Sequence, residues 1–350
     1  MSRKGLTLVE AIVVIIVLVV LVALFLPVHR GAPHAARRMQ CGNNMKQLVL
    51  GLQNYHDIFL QLPYGARSRT TSDNDERSFG SSWIVATLPF CEQRPLFDKV
   101  YGIDLADPAN DYASDAVRQL ALNAKIKYLL CPSSQLPEMQ QAGGFSIVLP
   151  SYAGIMGATE HSGMDITAID QYQRIVVGPF GGHAAANGML PINESLKFED
   201  CKDGTANTII VGEVSDWYYD NKGTKQNPAL SAIDPQSKGR IPGGWLAGTN
   251  LDFKVEKDGK PVPADRVFNL ITLDQSVGTN NRGGIKDGHP NWGTSGVGRC
   301  GLNNPLLSAH PAGAMVGFLD GHVLLLTKQV SPHIVKRLAI RDDGGEIPDF

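Results

Sequence analysis

Apolar residues follow three patterns along this chain. The first is an unbroken run. From Leu6 to Leu26 roughly 21 residues carry one charge, Glu10, and a helix of that length covers the ~30 Å hydrocarbon layer of a bilayer. Arg3 and Lys4 precede the run, as positive-inside orientation requires of a spanning helix. The second pattern has the helical period. Met45, Leu48, Leu52, Tyr55 and Phe59 recur at spacings of three and four, which predicts an amphipathic helix that Leu62 and Pro63 close. Pro27, Gly31 and Pro33 lie between the two stretches. An interior proline costs about 3 kcal/mol, so these residues predict a joint between a membrane half and a second half.

The third pattern is short and β-like. Arg174 to Phe180, Thr208 to Val211, Ala314 to Leu319 and His322 to Leu326 read as strands. Asp203-Gly204, Asp258-Gly259 and Asp320-Gly321 are turn dipeptides, and the last, set between two apolar runs, predicts a hairpin of type I′. Asp115 to Leu129 and Val335 to Ile340 read as short helices. Arg67 to Ser82, Gly181 to Met189 and Trp217 to Gly243 read as loops. The predicted class is therefore α+β: a long N-terminal helix in two halves packed on an antiparallel sheet with long loops.

Composition narrows the functional classes. The chain has 350 residues, 43% of them hydrophobic, which is enough for a real core. A net charge of -2 leaves no electrostatic footprint for nucleic acid. No G-x-G-x-x-G follows a strand, and neither G-x-S-x-G nor H-E-x-x-H occurs, so nothing in the motifs predicts an enzyme. The five cysteines, Cys41, Cys91, Cys131, Cys201 and Cys300, form no C-x-x-C pair, and their odd number leaves at least one thiol unpaired.

Arg3-Lys4-Gly5-Leu6-Thr7-Leu8-Val9-Glu10 resembles the N-terminus of type IV prepilins and pseudopilins: basic residues, Gly, an apolar residue, Thr-Leu-x-Glu and a hydrophobic helix. The resemblance implies cleavage by a prepilin peptidase between Gly5 and Leu6 and methylation of the new N-terminus. It also implies that Glu10 pairs with the α-amine of a neighbouring subunit. A carboxylate among packed helices needs such a partner. The rest of the chain resembles the planctomycete-type prepilin-like family catalogued as domain of unknown function 1559. Ala35 to Pro63, Leu88-Pro89-Phe90 with Glu92-Gln93, Leu129 to Ser134, Asp203 to Glu213, and His310 separated by nine residues from Asp320-Gly321 carry that likeness.

The resemblance divides the chain into a leader (1–5), a transmembrane helix (6–26), an amphipathic second half of the spine (27–62) and an extracytoplasmic pilin-like head (63–350). The His-x9-Asp-Gly hairpin lies at 310–327. It implies a single-pass protein of the bacterial inner membrane, a structural subunit of a type II secretion or type IV pilus-like system. Its partners would be the peptidase and other pilin or pseudopilin subunits. The alternative is a membrane-tethered envelope hydrolase or binding protein that uses the leader for export. His310, Asp320 and Gly321 are read first as structural, with a site role as the competing reading. Asp203, Asn207 and Glu213 are read as turn and cap residues, and no cofactor is expected. Some pseudopilins bind Ca²⁺ in their C-terminal region, and these three side chains are the oxygen donors such a site would use. Cys41 and Cys131 lie in two of the family blocks. They are either a bridge stapling spine to head, worth roughly 2–4 kcal/mol, or two buried thiols. Cys201 with Cys300 is a weaker pairing.

Overall fold

The computed structural model describes residues 7–25, 28–70, 77–101, 112, 115–120, 124–142, 145–159, 174–177, 183–219, 223, 225–227, 244–249, 267–280, 301–345 and 347. Gly5, Leu6, Cys300 and the predicted hairpin around Asp258-Gly259 lie outside them. The helices are α1 (Leu8–Phe25), α2 (Val28–Phe59), α3 (Trp83–Thr87), α4 (Arg94–Tyr101), α5 (Asp115–Leu120) and α6 (Pro332–Arg337). Five strands make the main sheet: β5 (Tyr152–Ala158), β8 (Ile209–Glu213), β11 (Leu270–Leu273), β12 (Gly313–Phe318) and β13 (Val323–Thr327). Four satellite pairs surround it. They are β1 (Ala66–Thr70) with β2 (Arg77–Ser82), β3 (Met139–Ala142) with β4 (Phe145–Val148), β6 (Ile175–Val177) with β7 (His183–Ala185), and β9 (Tyr218–Tyr219) with β10 (Lys225–Gln226).

The sheet runs β11-β5-β8-β12-β13. It is antiparallel except at its edge, where β11 joins β5 in parallel. Strands β5, β8 and β12 are buried at every position. Both faces are covered, so these strands read as continuous apolar runs rather than as alternating ones. Alternation survives in the packing. Tyr152 and Met156 of β5 and Met315 of β12 join the core under α2. Ala153, Ile155, Ala314, Val316 and Phe318 join a second core with Val335 of α6 and Leu338 to Ile340. Ser331 caps α6 by accepting from the Ile334 N–H, and Pro332 supplies its first turn.

Helix α2 covers the first face. Cys41, Met45, Leu48, Val49 and Leu52 are all essentially inaccessible to solvent. They repeat at the spacing the stripe predicted through Leu52. Beyond it the stripe emerges: Phe59 is 52% exposed and packs on Tyr55 with the rings tilted by 43°, 4.5 Å between centroids. The helix lies close to the sheet because Gly317 has no side chain. A Cβ there would stand 2.4 Å from Val49 Cγ2.

Three expectations need correction: those for Gly31 and Pro33, for 67–82 and for the Asp320-Gly321 turn. The backbone stays helical through Gly31 and Pro33; Pro33 is the sixth residue of α2, so it removes a single hydrogen bond, to the carbonyl four residues before it, and the rest of the helix continues. A single long spine is not shown, since α1 and α2 are separate and residues 26 and 27 lie outside the described set. No helix among the described residues is long and apolar enough to cross a membrane. The segment 67–82, read as a loop, is mostly the hairpin β1-β2. Its polar sequence hides pairing that rests on backbone bonds and on one buried aromatic residue, Phe79, against Phe268. Finally, the Asp320-Gly321 turn is not type I′. Gly321 N–H donates to Phe318 C=O (2.9 Å), and Phe318 N–H donates to His322 C=O (2.9 Å). Among the turn residues only Gly321 has positive φ, +93°. This is a three-residue connection ending in a left-handed glycine.

The Gly317–Val49 contact yields a test. Gly317→Ala overpacks a β-branched side chain that a helix holds in one rotamer. Urea denaturation of the variant is expected to show a loss of about 1–3 kcal/mol, and Val49→Ala in the same chain is expected to restore part of it.

Candidate functional site

The residues singled out by sequence fall into four places. Glu10 is in the first turn of α1, and its carboxylate accepts from the Thr7 N–H and Thr7 hydroxyl, both at 2.8 Å. The Glu10 N–H in turn donates to Thr7 Oγ1 at 3.4 Å. This is a capping box, and the Thr-x-x-Glu spacing of residues 7–10 is its sequence signature.

Asp203 and Asn207 occupy the turn before β8. Asp203 accepts backbone N–H bonds from Asp343 (2.8 Å) and Gly344 (2.9 Å), which tie the C-terminal segment down. Asn207 Nδ2 donates to Asp203 C=O at 3.0 Å. Glu213 ends the same strand, about 20 Å away at ~3.3 Å per residue. The structure therefore does not assemble Asp203, Asn207 and Glu213 into one Ca²⁺ site: the carboxylates point into separate backbone networks.

Asp320 and His310 are likewise apart, at opposite ends of β12. Asp320 Oδ1 accepts from His322 N–H (3.0 Å) and lies 2.6 Å from His322 Nδ1. Gly321 C=O accepts from Lys46 Nζ at 2.5 Å, and Leu319 C=O accepts from Gln53 Nε2 at 3.1 Å. Both donors belong to α2. The Asp-Gly turn thus holds the end of the hairpin to the helix.

The fourth place joins the Cys41–Cys131 bridge, one of the two readings of that pair, to His310 and Glu213, which the sequence analysis did not connect with it. Cys41 of α2 is bonded to Cys131, across 90 residues. His310 Nε2 lies 3.9 Å from Cys131 Sγ, and Glu213 reaches the same point from the end of β8. Donor atoms of Cys41, Cys131, Glu213 and His310 all lie within 4.8 Å of one another, and all four residues are buried. Among the described residues this is the one cluster of such side chains able to hold a metal ion.

Each member is placed by a different element. Cys41 faces the sheet on the α2 stripe, and Tyr152 of β5 donates its hydroxyl to Cys41 C=O at 3.1 Å. Burial pushes the Tyr152 phenol well up, so it stays a donor. Cys131 follows a single 3-10 turn at Lys127–Leu129, whose exit Asn44 of α2 secures by donating to Leu130 C=O at 2.7 Å. His310 is set by its own N–H donating to Ser308 Oγ at 3.0 Å. Glu213 is fully buried; it accepts from Met315 N–H (2.9 Å) and from Ser215 Oγ (2.6 Å). No cation lies within ion-pair distance of it among the described residues. Burial pushes its carboxyl up to about 7, against the opposing pull of the Met315, Ser215 and Ser308 hydrogen bonds.

Tyr152, Asn44, Ser215 and Ser308 escaped the sequence analysis. The available signal was Glu213 itself. It extends an apolar strand whose alternation carries its side chain inward, beside Gly212 and opposite Tyr152. Of the other described cysteines, Cys91 and Cys201 are buried free thiols. Cys201 shares a 3.1 Å contact with Thr208 Oγ1, so its pairing with Cys300 is not seen.

The raised Glu213 carboxyl makes stability depend on pH. Below about pH 4.5, its ordinary value, both states hold the proton and the group costs nothing. As pH rises toward 7 the folded chain keeps a proton that the unfolded chain has released, so stability falls. The loss is complete above about 7 and is at most about 3 kcal/mol. Denaturation of the disulfide-bonded chain between pH 4.5 and 8 is expected to show this decline, and Glu213→Gln is expected to flatten it.

Comparison with known proteins gives one match. A family model described as a protein of unknown function, DUF1559, matches residues 32–333. No curated protein and no solved structure matches the chain. The matched region takes in α2 from residue 32 on, the whole described five-stranded sheet and all four members of the buried cluster, and the chain belongs to the DUF1559 family.

Proposed function

We propose that this protein is a membrane-anchored, pilin-like structural subunit of a type II secretion or type IV pilus-like system. The observation that carries the reading is the contrast between its two helices. The described part of α2 buries one stripe on the sheet. The apolar side chains of α1 from Ile12 to Val22 are between 46% and 61% exposed. An apolar helix that its own head leaves uncovered suits insertion in lipid or packing against the helices of other subunits. The Gly5-Leu6 junction and Glu10 supply the processing and assembly chemistry for that role. The fold supports it as well, since α2 on a mostly antiparallel sheet is the arrangement a pilin-like head requires.

The alternative, a tethered hydrolase or binding protein, gains little from the geometry. Asp320 stands apart from His310 and Glu213. Two clefts lined by described residues, one between β5 and β11 and one beside Cys131, have volumes of about 30 and 40 Å³, room for a water molecule each.

Intact mass of protein purified from membranes tests processing. The expected species begins at Leu6 and carries one methyl group; a chain beginning at Met1 or Ser2 overturns the proposal. Glu10→Gln tests assembly separately from helix capping, because the amide can still accept from Thr7 but carries no charge. Cross-linking between subunits is expected to fall at least about tenfold in this variant, with the helix content of the chain unchanged.

A further inference from the structure

We propose that Cys41, Cys131, Glu213 and His310 form a redox-gated metal site that takes a divalent, thiolate-preferring ion such as Zn²⁺ when the disulfide is reduced. The donor set is two sulfurs, one imidazole nitrogen and one carboxylate oxygen. Zinc takes these donors in tetrahedral sites, at ~2.3 Å to sulfur and ~2.0–2.2 Å to nitrogen and oxygen. Those bond lengths put tetrahedral donors about 3.3–3.8 Å apart. His310 Nε2 is already 3.9 Å from Cys131 Sγ, and no pair of donor atoms in the group exceeds 4.8 Å. The main movement needed is separation of the two sulfurs, once reduced, from bonding distance to about 3.8 Å.

Three further features fit a site rather than a chance meeting of polar groups. The four donors come from four elements, so one ion would tie α2, the segment after the 3-10 turn, β8 and the approach to β12 together. Glu213 is fully buried without a cation among the described residues, and the Met315, Ser215 and Ser308 hydrogen bonds use three of the about four lone-pair sites of its carboxylate, which leaves one for a metal. A cleft of about 40 Å³, lined by Leu130, Cys131, Ser134 and Ser151 among others, borders the site at Cys131.

The chemistry balances with a dithiol as reductant. Two electrons and two protons pass to the protein disulfide, which becomes two thiols, while the dithiol becomes a disulfide. Metal binding then replaces the thiol protons, which leave to solvent. In the reverse direction, thiol–disulfide exchange with the oxidised dithiol takes the two electrons back, re-forms the Cys41–Cys131 bond and expels the ion. The spine stays fastened to the head in both states, by a covalent bond in one and by coordination in the other.

The test uses the full chain in detergent, reduced with a phosphine and titrated with Co²⁺. The expected result is one Co²⁺ per chain, with sulfur-to-cobalt charge-transfer absorption and tetrahedral visible bands that Zn²⁺ bleaches. The oxidised chain is expected to give neither. Glu213→Gln and His310→Gln, checked for native circular dichroism, are expected to weaken Co²⁺ binding at least about tenfold.

A second measurement needs no variant. Zn²⁺ is expected to protect Cys41 and Cys131 of the reduced wild-type chain from alkylation, with protection lost on adding a chelator. Cys91 and Cys201 serve as internal references. Absence of thiolate charge transfer overturns the proposal. So does binding unchanged in both folded variants, or alkylation of Cys41 and Cys131 at the same rate with and without Zn²⁺.

Discussion

The close seating of α2 on the sheet is the contact on which the rest of the structure depends. Strands β5, β8 and β12 are apolar on both faces, and only one of those faces is covered by α6 and the chain around it. The other must be covered by α2, or Tyr152, Met156 and Met315 of the strands and Met45, Leu48, Val49 and Leu52 of the helix would meet water. At ~25 cal/mol per Å² that burial is the largest favourable term the head can draw on. The helix reaches the sheet because Gly317 offers no side chain to Val49, and it is held there at separated points. The Cys41–Cys131 bond acts near one end. Lys46 and Gln53 act further along, gripping the carbonyls of the Asp320-Gly321 turn and Leu319.

Those attachments explain how the His-x9-Asp-Gly element works as a structural unit. Its histidine and its aspartate do not meet, as a catalytic pair would. They stand at opposite ends of β12, and each end is turned toward α2. His310 is beside the sulfur bridge that begins on the helix, and Gly321 presents its carbonyl to Lys46. The element is a strand fastened at both ends to the helix it supports.

The sequence made the large features legible because they rest on repetition. Met45, Leu48 and Leu52 keep the helical period, and two apolar runs flank Asp320-Gly321. Features that rest on single residues were harder to see. The turn type was misread because the dipeptide alone does not count the residues in the connection. In this turn Leu319 joins the loop and leaves only Gly321 in the left-handed region. The β1-β2 hairpin was missed because its strands are held by backbone bonds, which composition does not report. Cys41, Cys131, Glu213 and His310 were each noticed, yet nothing in their spacing says that they converge. Residues 41, 131, 213 and 310 belong to four elements, and only the order of strands in the sheet brings them to one point. The Thr7-Glu10 capping box was legible and was masked by the stronger reading of Glu10 as an assembly contact.

Strand β12 also gives the nine-residue interval a meaning. Between His310 and Asp320 the chain must cross the sheet once, and its side chains alternate between two cores. Met315 belongs to the core under α2, and Ala314, Val316 and Phe318 belong to the other. Removing or adding one residue would do more than shorten or lengthen the span. It would exchange the two sets, sending Phe318 toward α2 and Met315 away from it, while one of the two end attachments lost its partner. The interval is therefore a parity constraint as much as a distance: it fixes which side of the sheet each residue of the strand must serve.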